Sequence, residues 1–226
     1  MKFLSVAVLA LAGCGSFTHY QTAPALDAGG FAYDVQASSV AMSRGVHMAG
    51  RFRAGLGRGF EVGAETDMIS LLLFGMTLGP DGYGLVMGDV KWQFLEEPAE
   101  GSQDGAPFSC ALGAGGGTGY LSDFYFAQVT ASRKFDIAEP YLAWRYQRMR
   151  IDLDFHDPDD VHDLRESYLE RVFDEADEAR VGLHHIFVGV KIWLADHMYL
   201  MPEASLILGD ADGVGSFGIA FGFQTP

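Results

Sequence analysis

The sequence predicts an all-β protein: an antiparallel, up-and-down transmembrane β-barrel of about ten strands, within a range of 8–12, with one helix-containing external loop. Three observations carry that prediction. Polar and apolar residues alternate with a period of two through most of the chain, the mark of strands with two unlike faces. The apolar face holds more bulk than the lumen of one small barrel can enclose. Connections between the alternating runs are mostly tight on one side and long on the other, as in barrels that cross a bilayer.

Ten runs follow in order, at about 30–42, 48–56, 59–67, 83–95, 107–117, 123–134, 139–151, 182–194, 198–208 and 215–224. Such lengths suit a tilted membrane-crossing strand and exceed those of most soluble sheets. In the fourth run Val86, Gly88, Val90, Trp92 and Phe94 share one side, and Met87, Asp89, Lys91 and Gln93 the other. The eighth sets Ile186, Val188, Val190, Ile192 and Leu194 against His185, Phe187, Gly189, Lys191 and Trp193. The last sets Phe217, Ile219, Phe221 and Phe223 against Gly218, Ala220, Gly222 and Gln224. The polar face is also rich in small residues, as in Ser109, Ala111, Gly113 and Gly115.

The connections Gly57-Arg58, Phe135–Ala138 and Ala195–His197 are tight, whereas those near 68–82 and 152–181 are long; 96–106 breaks the pattern. An even strand count then puts both chain ends on the short-turn side. Aromatic residues cluster where two membrane interfaces would fall: Phe31, Tyr33, Phe60, Trp92, Phe94, Phe108 and Phe223 at the short-turn rim, Tyr125, Tyr146 and Phe217 at the other.

Residues 1–13 read as a secretory signal. Lys2 supplies a positive charge, and the apolar run Phe3–Leu11, broken only by Ser5, is too short to cross a bilayer as a helix. Its end, Leu11-Ala12-Gly13-Cys14, resembles a bacterial lipobox. That resemblance implies that Cys14 becomes the first mature residue and carries acyl chains, with residues 14–29 as a lipidated linker to a barrel domain at 30–224. Gly15, rather than an aspartate, follows the cysteine, which leans toward sorting to the outer membrane. The chain as a whole resembles a small Gram-negative outer-membrane β-barrel with a lipoprotein signal. Its last run, Phe217-x-Ile219-x-Phe221-x-Phe223, is similar to the C-terminal assembly signal of such barrels, although Gln224-Thr225-Pro226 follow where an aromatic residue usually ends the chain. The resemblance fixes no subfamily. It implies a bacterial outer-membrane location, lipid-anchored at the N-terminus, with membrane lipids as partners.

A formal net charge of −15 disfavours nucleic acid, whose phosphates need cationic partners. With Cys14 acylated, Cys110 has no disulfide partner, and no Cys/His spacing suits a structural zinc. On the polar face the basic residues are Arg51, Arg53, Lys91, Arg145 and Lys191, and the acidic ones Asp34, Glu61, Glu65, Asp89 and Glu203. That balance in a narrow lumen points to a paired charge network rather than a selective conduit. Glu61 and Glu65 fit as partners of Arg51 and Arg53 on the adjacent hairpin strand better than as an acid–base pair.

Residues 152–181 hold twelve Asp or Glu and three Arg, more than half of the chain's net charge. Asp157 as N-cap, Pro158 at the first helical position, and Val161, Leu164, Tyr168, Val172 and Phe173 at helical spacing predict an amphipathic helix over about 158–179. His156, His162 and Glu166 are weak candidates for a divalent cation, since the spacing and glycine of a calcium loop are missing, and no metal site is assigned. Arg148 and Arg150 share the outward side with Trp144 and Tyr146 and could meet lipid phosphates.

The reading that follows is a non-enzymatic outer-membrane barrel lipoprotein with a charge-filled lumen, serving the envelope structurally or presenting its acidic loop to a partner. No cofactor and no catalytic residue is expected. Three alternatives stand beside it. One is a lipid-modifying enzyme, with His184 as base and Ser122 as nucleophile, although no GxSxG elbow is present. Another is a periplasmic, lipid-anchored β-protein that binds an apolar ligand. The last is a narrow pore.

Overall fold

The structure, a computed structural model, describes residues 19–40, 47–67, 86–98, 106–119, 122–152, 178–209 and 213–225. Ten strands lie in chain order: β1 (Phe31–Val40), β2 (His47–Gly57), β3 (Phe60–Asp67), β4 (Val86–Leu95), β5 (Ser109–Gly119), β6 (Ser122–Ser132), β7 (Ala138–Asp152), β8 (Glu178–Ala195), β9 (Met198–Leu208) and β10 (Gly213–Gln224). Each pairs antiparallel with its sequence neighbours, and β1 closes on β10 through the register Ala32–Gln224 to Val40–Ser216. The ten predicted runs correspond one for one to these strands.

Closure removes both sheet edges, and parity then decides which side chains face in. Val86, Val90, Trp92, Leu112, Leu142, Trp144, Val188, Phe217 and Phe221 are exposed on the outer surface. Asp34, Arg51, Arg53, Glu61, Glu65, Lys91, Arg145 and Glu203 are buried inside. The apolar side of every alternating run therefore faces out. This inversion of a soluble core is the pattern of a bilayer-spanning barrel. The tight turn Gly57-Arg58-Gly59 joins β2 to β3 with all three residues at positive φ, a geometry that glycine adopts at little cost. This turn lies at the same barrel end, the turn end, as the start of β1, the end of β10, the β6–β7 and β8–β9 turns, the end of β4 and the start of β5; the loop end is opposite.

One expectation is corrected. The sequence predicts a helical loop over 152–181 with its helix at about 158–179, but β7 runs on to Asp152 and β8 begins at Glu178. Residues 178–181 pair with Asp152, Ile151, Arg150 and Met149 instead of coiling. The partner strand satisfies their backbone groups, which outweighs a modest helical propensity. Residues 153–177, with His156, His162 and Glu166, lie outside the described residues, and no described residue is helical.

The second finding concerns the tract expected to be a linker. Residues 19–28 do not hang below the barrel. They enter it at the turn end and run up the lumen, so that His19, Tyr20, Gln21, Thr22, Ala23 and Leu26 are all buried, while Asp27, Ala28 and Gly29 are exposed at the rim.

An outward charge at mid-wall tests the bilayer reading. Val188 is 57% exposed between Leu142 and Ala204. We expect Val188→Arg to cost about 2–4 kcal/mol when the chain folds into vesicles, measured by equilibrium unfolding. In a soluble protein the same exposed substitution would be close to neutral.

Candidate functional site: the occupied lumen

The inward charges meet in the turn-side half of the barrel. Arg51 bonds Glu65 on the adjacent strand at 3.4 Å and also Asp89, which lies two strands away on β4. The intervening position on β3 is Gly63, where a Cβ would meet both Asp89 and Arg51. Absence of a side chain there lets the two charges reach across β3. Arg53 lies 3.7 Å from Glu61 and 3.5 Å from Asp34, and donates to the Tyr199 hydroxyl at 2.9 Å. That hydroxyl in turn donates to Asp34 at 3.1 Å. Lys91 pairs with Glu61 at 3.2 Å. Lys191 donates to Gln224 at 2.6 Å and sits over the rings of Trp193 and Tyr199. Arg145 stands higher, donating to Gln128 and lying over Phe126 at 4.4 Å and Phe187 at 5.1 Å. All ten charges picked from parity thus point into the lumen. One inward carboxylate was missed: Glu139, buried and accepting from Ser132 at 2.7 Å. It sits at the first position of the predicted seventh run, where parity would have found it.

The tract completes this network. Glu203 accepts the backbone N–H groups of His19 and Tyr20, each at 2.9 Å, and the Tyr141 hydroxyl at 2.6 Å. Glu61 accepts the Gln21 side-chain amide at 2.8 Å and the Leu26 N–H at 3.1 Å. Lys91 donates to the carbonyls of Thr22 and Pro24 at 3.2 and 2.9 Å. The N–H groups of Ala23 and Ala25 donate to Ser132 and Gln93. Room for the tract comes partly from Tyr141 and Tyr199, which lie flat over Gly189 and Gly222 of the neighbouring strands.

Above the tract the chemistry changes. Met87, Phe124, Phe126, Met149, Leu183 and Ile207 all face in, are buried and form one apolar cluster in the loop-side half. Among the described residues, charges and the tract's backbone thus face the lumen in the turn-side half, and this apolar cluster, with Gln147 and His185, in the loop-side half. Among the described residues no group of three or more His, Cys, Asp or Glu side chains could hold a metal ion.

Outside the wall, Arg148 and Arg150 are exposed. Arg148 is flanked across strands by Tyr125 and Gly182, and Arg150 by Asp123 and Arg180. His184 is exposed and stacks between Trp144 and Tyr146 at 5.7 and 5.1 Å. The candidate enzyme pair does not assemble. Ser122 sits opposite Ile151 while His184 sits opposite Tyr146, a separation of about 17 Å along the strand. Cys14 lies outside the described residues.

The geometry defines a protein class: a closed, ten-stranded antiparallel transmembrane barrel with an apolar outer wall. Its neighbours among solved structures are outer-membrane β-barrel proteins, and they establish no particular subfamily. The NanC porin shares 11% identity, with 85% of this chain and 100% of that one covered and a TM-score of 0.47. The KdgM porin in complex with disordered oligogalacturonate shares 10%, covering 84% and 98%, with a TM-score of 0.40. The N-terminal β-barrel domain of Pseudomonas aeruginosa OprF shares 10%, covering 88% and 98%, with a TM-score of 0.38. No protein-family model and no curated protein matches the chain.

Removing one member of the buried network should be costly. Arg51→Met leaves Glu65 and Asp89 as buried carboxylates facing each other's charge, and we expect a loss of about 3–5 kcal/mol in unfolding free energy. Adding Glu65→Gln and Asp89→Asn in the same chain should recover most of it. If the triple variant were no more stable than Arg51→Met, these three residues would not form one network.

Proposed function

We propose that this protein is a non-conducting, non-enzymatic barrel of the bacterial outer membrane that serves the envelope structurally and presents its acidic 153–177 segment at the cell surface. The single observation that carries the reading is the occupied lumen. A porin needs a continuous wet path, whereas here ion pairs and the N-terminal tract occupy one half and an apolar cluster the other. The short turns and both ends of the barrel share one side, which fits a periplasmic turn end and an external acidic loop.

The outward arginines support a lipid contact. Arg148, Arg150 and Arg180 crowd the loop end of β7 and β8 above the Trp144–His184–Tyr146 stack, with Asp123 beside them. Arginine forks suit phosphate oxygens, and the rings suit the interface just below. Divalent cations bridging the acidic segment to anionic lipid would extend that contact.

Acylation of Cys14 belongs to the same proposal and carries a constraint. Only residues 15–18 separate Cys14 from the buried His19, a reach of at most about 18 Å. An acyl anchor in the turn-end leaflet and a lumen-docked tract therefore compete for one short stretch. The mass of the N-terminal peptide from purified protein reads which form is made.

In planar bilayers the protein should give no steady conductance, and a tag inserted near Glu175 should be cut by protease on intact cells. Stable single-channel steps would overturn the closed-lumen reading, and cutting only after permeabilisation would overturn the orientation. Arg148→Ala with Arg150→Ala should lower the lipid phosphate that copurifies with the barrel; unchanged phosphate would remove the lipid contact.

A further inference from the structure

The lumen holds residues 19–26 by their main chain as well as by side-chain packing. Seven main-chain atoms of the tract are bound by barrel side chains: the N–H groups of His19, Tyr20, Ala23, Ala25 and Leu26, and the carbonyls of Thr22 and Pro24. Their partners come from β3, β4, β6 and β9. Side-chain hydrogen bonds are fewer, while Tyr20 packs with Tyr141, Tyr199, Met201 and Ala220 and His19 lies against Tyr141 and Phe187. Gln21 meets Glu61, Gln128 and Arg51, the Tyr20 hydroxyl donates to the Ala37 carbonyl, and His19 meets Thr130. The barrel bonds an irregular backbone, with Tyr20 at φ 39° and a bend at Ala23-Pro24, using carboxylates for its donors and an ammonium for its acceptors, as a peptide site does.

The wall is also shaped for an occupant. At Gly55 a Cβ would collide with the carbonyls of Leu26 and Asp27, with no barrel atom among the nearest neighbours. At Gly218 it would overlap the Tyr20 hydroxyl. Near the entrance the fit loosens. A cavity of about 520 Å³ lies between Ala25–Ala28 and the β2–β3 turn. The covalent tie is the exposed stretch Asp27-Ala28-Gly29, with Gly29 at φ 82° and its N–H donating to the Gly55 carbonyl at 3.0 Å.

We propose that the turn-side half of the lumen is a binding site for a bent, non-helical peptide segment, that residues 19–26 are its ligand supplied in cis, and that a separate peptide of the same kind occupies it when the tract leaves. The entrance is the turn end, because the apolar cluster of Met87, Phe124 and Leu183 closes the other. The linked tract has the advantage of a high effective concentration, so exchange shows only once the link is cut.

The test uses the full chain, folded first and cut afterwards. A site-specific protease sequence is inserted between Ala28 and Gly29, and the cut is made in detergent micelles after heat-modifiable migration has shown a folded barrel. The probe is an N-acetylated peptide with the sequence of residues 19–26, labelled at its C-terminal end, which faces the entrance. We expect the cut fragment to leave on dilution and the probe to enter at one per barrel, read by fluorescence anisotropy. Glu203→Gln, which weakens the acceptor of two N–H groups, should reduce probe affinity by about ten- to a hundredfold. Gln93→Ala, at the rim and outside the ion pairs, serves if that variant folds poorly, and should give a smaller drop. A fragment that neither leaves nor exchanges over days would make the tract a permanent part of the core and overturn the proposal. A fragment that leaves while the probe fails to bind would overturn it equally.

Discussion

Charge taken out of water must find a partner, and this constraint organises the whole barrel. Ten strands closed on themselves leave a lumen too narrow for its inward side chains to keep their hydration, yet Arg51, Arg53 and Lys91 all point into it. Each meets at least one carboxylate. The contacts run between adjacent strands, across β3 through the gap at Gly63, and across the lumen to Tyr199. A network of that reach ties β1, β2, β3, β4 and β9 together from within, while the backbone ladders tie them along the wall. Its net contribution to stability is small compared with the penalty for breaking it, so it specifies one arrangement more than it strengthens any.

The same constraint explains the N-terminal tract. Barrel side chains alone leave carboxylate oxygens and an ammonium with unfilled hydrogen-bonding capacity, and a segment outside any helix or strand offers free amide donors and carbonyl acceptors at close spacing. Glu203 and Glu61 take its N–H groups and Lys91 takes its carbonyls. Higher up the wall Met87, Phe124, Phe126, Met149, Leu183 and Ile207 form an apolar cluster, with the buried polar Gln147 and His185 beside it. The lumen is thus mostly charged toward the turn end and mostly apolar toward the loop end.

The outer surface follows a different rule, set by the bilayer. Aliphatic residues cover mid-wall, and rings gather toward the rims, where Phe31, Phe60, Trp92 and Phe223 pack against one another or their neighbours. At the loop end β8 outruns β9: the ladder with β9 starts only at His184, whereas that between β7 and β8 continues to Asp152–Glu178. The hairpin carries the arginines above the aromatic stack and leads directly into the acidic segment.

Much of this was written in local sequence. Side-chain direction in a strand has a period of two, so ten runs, their faces and all ten named lumen charges could be read from alternation alone. So could the Arg51–Glu65 and Arg53–Glu61 pairings, because a tight hairpin fixes its own register. What lay beyond reach depends on partners distant in the chain. His19-Tyr20-Gln21-Thr22-Ala23-Pro24 has no alternation and reads as a linker; its place inside the barrel is set by Glu203 and Ser132, more than a hundred residues away. Residues 178–181 carry helix-compatible side chains and became strand because β7 stood beside them. The Arg51–Asp89 contact needed the gap at Gly63, which only the assembled sheet reveals. Sequence determined which face of each strand is wet and which is greasy, since that is local; only the closed barrel decided what fills its centre, since that depends on which charges closure leaves in want of partners.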